Sequence, residues 1–196
     1  MVLDKIKGVK VVLGSQSPRR SELLSALDIS FEVIVREIDE RFDADIQTQH
    51  IALEIARKKS AAFSEEHFFD ALVITADTLV IDMEGNPIGK PKDEAEAVHV
   101  LRQLSGQQHV VHTAVVMQYR GRQHYFTEET KVWFAALSDD EIQYYVHLYQ
   151  PYDKAGAYGI QEWIGRTAVT KIEGSYENVV GLPTARLFQE LKEILK

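Results

Sequence analysis

Short apolar runs alternate with helical patterns through the first half of the chain, and this alternation restricts the fold more than any single motif. Residues 9–14 and 31–35 read as strands, and residues 71–76 as a strand buried on both faces. Between them, Ser17-Pro18 opens a helix striped by Leu23, Leu24 and Leu27. Ser is a favoured N-cap and Pro a favoured first helical residue. Residues 48–64 carry apolar side chains at helical spacing, and residues 92–104 form a further helix stopped by Ser105-Gly106. Residues 110–119 and 125–134 are two long strands around Gly121, a hairpin. Ser138 with Glu141 is a capping box for a helix ending near Gln150-Pro151. A glycine-spaced stretch over 156–165, a strand over 167–172, a loop over 173–182 and a C-terminal helix opened by Pro183 complete the chain. Strands alternating with helices, then a hairpin, predict an α/β fold: a mixed, twisted sheet flanked by helices. With 196 residues and no visible linker or repeat, residues 1–196 are read as a single domain.

Charge and composition narrow the function. The net charge is −8, so a broad surface for duplex nucleic acid is not expected, because phosphate neutralisation needs Lys and Arg over a wide face. A small polyanion needs only a local cluster, and Arg19 with Arg20, residues 57–59, and Lys90 with Lys92 supply such clusters. There are no cysteines, which removes disulfides, thiolate nucleophiles and Cys-ligated metals and fits a cytoplasmic setting. No apolar run approaches the roughly 20 residues of a membrane span, and Asp4 interrupts any signal-like start. No partner in nucleic acid or membrane is expected.

Four segments are candidates for chemistry. In the first, Gly14 to Arg20, two arginines sit in the first turn of a helix, where the macrodipole favours anions. A bound phosphate resolves that conflict, since N–H groups, the Ser15 hydroxyl and guanidinium forks all donate to it. The plain alternative is an ordinary Ser cap with two exposed arginines. The second is Lys59. At about 100° per residue it falls in the centre of an apolar arc made by Ala52, Ile55, Ala56, Ala62 and Phe63. It either snorkels outward or points into a site to meet a phosphate or carboxylate, while Arg57 and Lys58 lie further round as solvated residues. The third is Asp77, read as a carboxylate ending a buried strand, where α/β sheets bind ligands. It is a metal ligand, a base, or a turn residue. Lys90 in a Gly-Lys-Pro turn and the Asp39-Glu40 pair are possible companions. The fourth is residues 152–161, where small residues permit close backbone approach and Gln161 offers both a donor and an acceptor. Asp153 and Lys154 there can pair with each other. The loop over 174–183 is another candidate wall, or a constrained connection. His109 and His112 lie three apart in a strand and point to opposite faces, so they make a poor metal pair; all seven histidines are read as structural or surface groups.

Taken in order, Leu13-Gly-Ser-Gln-Ser-Pro-Arg-Arg-Ser-Glu-Leu-Leu24, Ala76-Asp-Thr78, Gly89-Lys-Pro91, Leu104-Ser-Gly106, Asp153 through Gln161, Gly174-Ser-Tyr and Val180-Gly-Leu-Pro183 resemble the signatures of the Maf family, historically the septum-formation inhibitors. The resemblance covers nearly the whole chain. It implies a fold similar to inosine triphosphate pyrophosphatases, often a homodimer, cutting the α–β phosphoanhydride of a nucleotide with a divalent metal, magnesium or manganese, and releasing pyrophosphate. It implies Asp77 as the base. It gives Ser15, Arg19, Arg20, Lys59 and Lys90 the phosphates, and places Glu40 with Asp77 near the metal. Arg19, Thr78 and Gln161 become the residues of substrate choice. The Arg-Arg pair, Ala-Asp-Thr and Gly-Ile-Gln resemble the branch that prefers thymidine and uridine triphosphates. Modified pyrimidine nucleotides stay open as substrates. A non-catalytic nucleotide-binding regulator of cell division and a nucleic-acid-binding module are the competing readings. Gly14 departs from the family pattern, which often has Ala.

Overall fold

The structure is a computed structural model and describes residues 2–43 and 45–196. Its strands are β1 (Lys10–Leu13), β2 (Glu32–Val33), β3 (Ala71–Ile81), β4 (Pro87–Ile88), β5 (Gln108–Tyr119), β6 (Arg122–Phe134) and β7 (Val169–Glu173). Its helices are α1 (Val2–Ile6), α2 (Pro18–Ser25), α3 (Thr48–Ala61), α4 (Glu94–Leu104), α5 (Asp139–Tyr149), α6 (Trp163–Thr167), α7 (Tyr176–Val180) and α8 (Thr184–Ile194). The strands form a seven-stranded sheet in the order β2-β1-β3-β5-β6-β7, with β4 paired to β3. It is mixed, as expected: β1 runs parallel to β2 and to β3, with Val12 opposite Val73, while β4 and β7 run antiparallel to β3 and β6.

Three expectations need correction. The strand over 71–76 continues to Ile81, so Asp77 and Thr78 lie in mid-strand rather than at its end. The polar pair interrupts the apolar run, but Leu79, Val80 and Ile81 resume it and are buried. The strand over 31–35 shrinks to two exposed residues at the sheet edge. The loop over 173–182 contains the end of β7 and the five-residue α7, too short for any periodicity to register.

The chain divides into two compact units. The first comprises Met1–Asp77, Thr113–Glu128 and Gly181–Lys196. Alternate residues of its strands face opposite sides. Leu13, Leu72 and Ile74 join a core with Leu24, Met117, Leu187 and Leu191. Val12, Ala71 and Val73 pack with Phe63 and Phe68, whose rings meet edge-on at 5.1 Å. Burial on both faces is why these strands read as unbroken apolar runs. Helix α8 presents Leu187, Leu191 and Ile194, one helical stripe, to the core.

The second unit comprises Thr78–His112 and Glu129–Val180. Its core joins Leu101 and Leu104 of α4 to Ile142, Tyr145 and Val146 of α5 and Ile164 of α6. The capping box holds: Ser138 and Glu141 satisfy each other's backbone at the start of α5. The indole of Trp133 lies beneath the Lys171 ammonium at 4.2 Å, and that of Trp163 meets Tyr144 edge-on. Fully buried His109 shares a 2.7 Å hydrogen bond with the Tyr158 hydroxyl and packs edge-on against Phe134.

Burial holds the His109 imidazole down to about 4, against an ordinary value of 6.5. The unfolded chain therefore binds the extra proton between those values. The stability from this site is complete above pH 6.5 and is lost as pH falls through about 4, by at most about 3 kcal/mol. His109→Gln, which keeps a partner for Tyr158, should flatten the decline of melting temperature across this window. An unchanged slope would assign the acid sensitivity elsewhere.

Candidate active site

The turn after β1 is tightly built. The Gly14 N–H donates to the Ile74 carbonyl at 2.8 Å. A Cβ on Gly14 would stand 2.8 Å from both the Phe63 ring and the Thr75 methyl, so the turn is packed around a residue that lacks one. Ser15, buried, accepts from the Ser17 N–H and from Arg20 Nη1, each at 3.2 Å. Ser17 caps α2 by accepting the Arg20 N–H, and Pro18 stands at the first turn. The Arg20 side chain folds back to the helix start, where its Nε donates to the Gly181 carbonyl at 2.8 Å. Burial lowers the pKa of Arg20; Asp77 opposes this, Arg19 adds to it and Glu40 opposes it. A guanidinium remains charged in such surroundings. No acidic residue occupies the first turn of α2. Helix dipole, N–H groups and two arginines thus act together toward an anion.

Lys59 points from the buried side of α3, as its place in the apolar arc predicts, and its side chain is 16% exposed. What it meets is carboxylate: Nζ lies 2.7 Å from Asp77 Oδ1 and 2.9 Å from Glu40 Oε1. Asp77 is 14% exposed and Glu40 half-exposed. The Asp39-Glu40 pair divides its work. Glu40 faces Lys59, whereas Asp39 is clasped by Arg41, whose hydrogen bonds pull its carboxyl down to about 2. The neighbours of Lys59 are not merely solvated, contrary to expectation. Lys58 donates to the Arg41 carbonyl at 2.6 Å and ties that loop to α3, and the Arg57 guanidinium lies 4.2 Å from the Tyr125 ring. The first unit therefore brings Ser15 and Arg20 together, and Lys59, Asp77 and Glu40 together.

In the second unit, Thr78 is half-buried and Lys90 is exposed in its turn. That turn is tied to the glycine-spaced segment by the Gly156 N–H, which donates to Gly89 O at 3.1 Å. Lys154, almost fully buried, pairs with Asp153 at 2.8 Å, as anticipated, and also with Glu162 at 3.2 Å. Gln161 sits in a turn closed by the Glu162 N–H donating to the Gly159 carbonyl at 3.0 Å. Its Oε1 is buried and meets no donor among the described residues. Two groups escaped the sequence reading. Tyr145 reads as one more apolar position on α5, yet its hydroxyl donates to Glu162 and accepts the Gly159 N–H. Buried Asn178 donates to Val111 O and Thr130 Oγ1 and so anchors the 174–183 segment.

The family model described as Maf-like protein matches residues 10–194. The chain belongs to the Maf family. Among curated Maf relatives, a dTTP/UTP pyrophosphatase of Porphyromonas gingivalis is 48% identical over 98% of both chains. One of Parabacteroides distasonis is 47% identical over 97% of this chain and 99% of its own. The fold extends further than the sequence: the Staphylococcus aureus Ham1 protein matches with a TM-score of 0.55 at 14% identity, covering 95% of this chain and 100% of that one.

Proposed function

We propose that this Maf protein hydrolyses nucleoside triphosphates, thymidine and uridine triphosphates foremost, to the monophosphate and pyrophosphate. The observation that carries the reading is the convergence of Asp77 and Glu40 on Lys59, with Arg20 close enough to feel both carboxylates. Relatives sharing nearly half of its residues are dTTP/UTP pyrophosphatases, which supports the same substrate class here. We take both units as parts of one domain, since the family match runs through the sequence of each. A cytoplasmic homodimer is the form we assign.

Phosphoanhydride hydrolysis needs positioning and charge neutralisation more than covalent chemistry. Ser15, Arg19, Arg20, Lys59 and Lys90 are assigned to the phosphates, where fixed cations favour charge developing on the leaving pyrophosphate. Asp77 is assigned to orient water and take its proton. Its carboxylate, 14% exposed and 2.7 Å from the Lys59 ammonium, is fixed in place for that task. Thr78 and Gln161 are assigned, with Arg19, to substrate choice.

The cofactor we assign is a divalent cation, magnesium or manganese. Glu40 and Asp77 suit it, because both already converge on one cationic atom. Among the described residues no group of three or more His, Cys, Asp or Glu forms a metal cluster. Two carboxylates completed by phosphate oxygens and water are the ligand set that magnesium favours. When bound, the cation would supply charge neutralisation to the phosphates.

The test is a panel of common and modified nucleoside triphosphates with magnesium, manganese or no metal, with monophosphate and pyrophosphate quantified. Pyrophosphate release led by dTTP or UTP is expected. Tight nucleotide binding without turnover across the panel would replace this function with that of a nucleotide-binding regulator.

A further inference from the structure

We propose that Tyr145 and Glu162 are positioning residues for base selection: they fix the turn that carries Gln161 without touching the substrate. The inference rests on the assignment of Gln161 to the base. Its ground is the way the turn Gly159–Glu162 is held on two sides.

On one side, the Glu162 side chain folds back over its own turn. A Cβ on Gly159 would stand 2.7 Å from the Glu162 carboxyl carbon, so the bare glycine backbone lies flat against the carboxylate. That carboxylate, 19% exposed, accepts from Lys154 Nζ at 3.2 Å and from the Tyr145 hydroxyl. The same hydroxyl accepts the Gly159 N–H at 2.9 Å. One oxygen atom of α5 thereby ties both ends of a four-residue turn. Tyr145 itself is fully buried on α5, in the core that α5 shares with α4. On the other side, Gly165 of α6 lies against Ile160: a Cβ there would fall 1.8 Å from the Ile160 carbonyl oxygen.

Within this turn, Gln161 is the residue whose side chain carries a buried polar atom with no partner among the described residues, the acceptor Oε1. A buried acceptor left without a donor is unfavourable, and a ligand N–H relieves it. The imide N3–H of thymine or uracil is such a donor. Cytosine carries an acceptor at N3 and leaves the oxygen unmet. Discrimination by a hydrogen-bonding site is strong only when the group is held in place. The Tyr145–Glu162–Lys154 cluster supplies that rigidity, and no other role in the reaction is assigned to it.

The experiment compares wild type, Tyr145→Phe and Glu162→Gln, each alone and with Gln161→Ala, using dTTP and dCTP as substrates and pyrophosphate as a competitive inhibitor that lacks a base. Either single variant should lower the dTTP-to-dCTP ratio of kcat/KM by about tenfold, mainly by raising KM for dTTP. Its kcat at saturation and its pyrophosphate inhibition constant should stay within about twofold of wild type. In the Gln161→Ala background the same substitutions should leave the ratio unchanged. Glu162→Gln is the smaller disturbance and decides the matter if Tyr145→Phe does not fold. A wild-type ratio retained in folded variants would overturn the positioning role and leave the proposed hydrolysis intact. So would a pyrophosphate constant that rises in step with KM. Absence of pyrophosphate release from wild type would overturn both.

Discussion

Asp77→Asn is expected to reduce pyrophosphate release by about 10²- to 10⁴-fold, the range that removal of a general base covers. The replacement keeps the size of the side chain and its place in β3 but abolishes its charge and its ability to take a proton. Binding should respond in the opposite sense. Asp77 currently engages the Lys59 ammonium at 2.7 Å, in competition with any phosphate. With its charge gone, Lys59 retains only Glu40, and the surplus of positive charge from Arg19, Arg20 and Lys59 increases. Asp77 is also assigned to hold the cation, so the comparison is made without divalent metal: there the dissociation constant for dTTP, measured by calorimetry, should stay level or fall, while turnover with metal collapses. Near-normal turnover would remove Asp77 from the mechanism. Loss of binding in parallel with turnover would mean that the carboxylate serves to assemble the site rather than to move a proton.

The largest expected effect on stability lies away from the charged groups. Gly165→Ala should destabilise the protein by about 3–5 kcal/mol, the range of the severe single-residue mechanisms. The added Cβ would meet the Ile160 carbonyl oxygen at 1.8 Å, its carbonyl carbon at 2.4 Å and its Cα at 2.7 Å. All three are backbone atoms, so no rotamer change relieves the clash; either α6 or the turn before it must move. For a chain of this size each kcal/mol corresponds to about 2–4 °C in Tm, which makes a drop on the order of 10 °C readable by circular dichroism. Gly8→Ala is the control, since a Cβ there meets nothing within 4 Å, and it should melt with wild type. Equal melting temperatures for Gly165→Ala and wild type would show that α6 is free to yield.

The parts of this architecture that sequence made legible are those whose signal is local. Ser17-Pro18 and Ser138 with Glu141 announce helix starts because cap and partner lie within four residues, and both are found as read. Lys59 stood out because a charge in the middle of an apolar arc requires a partner, and the partners are Asp77 and Glu40. Two features were hidden because the deciding contact is distant in sequence. Asp77-Thr78 looked like the end of a strand because a polar pair ends an apolar run, whereas Asp77 is accommodated mid-strand by an ion pair with Lys59, 18 residues earlier. Tyr145 carried no signal because its partner Glu162 lies 17 residues later. Helices α1, α6 and α7 have five residues each, less than two turns, so no period emerges from them.

The protein has two tryptophans, Trp133 and Trp163, and both belong to the second unit. Intrinsic indole fluorescence thus comes from that unit alone, and events confined to the first unit are silent in it. Trp163 stands two residues after Gln161, at the start of α6 and in edge contact with Tyr144, so its emission is a direct optical reporter of the Gly159–Glu162 turn. Trp133, beneath the Lys171 ammonium on the β6–β7 ladder, supplies a second, background signal. A Trp133→Phe protein would turn the molecule into its own single-colour probe of that turn, and of base occupancy if Gln161 reads the base as proposed.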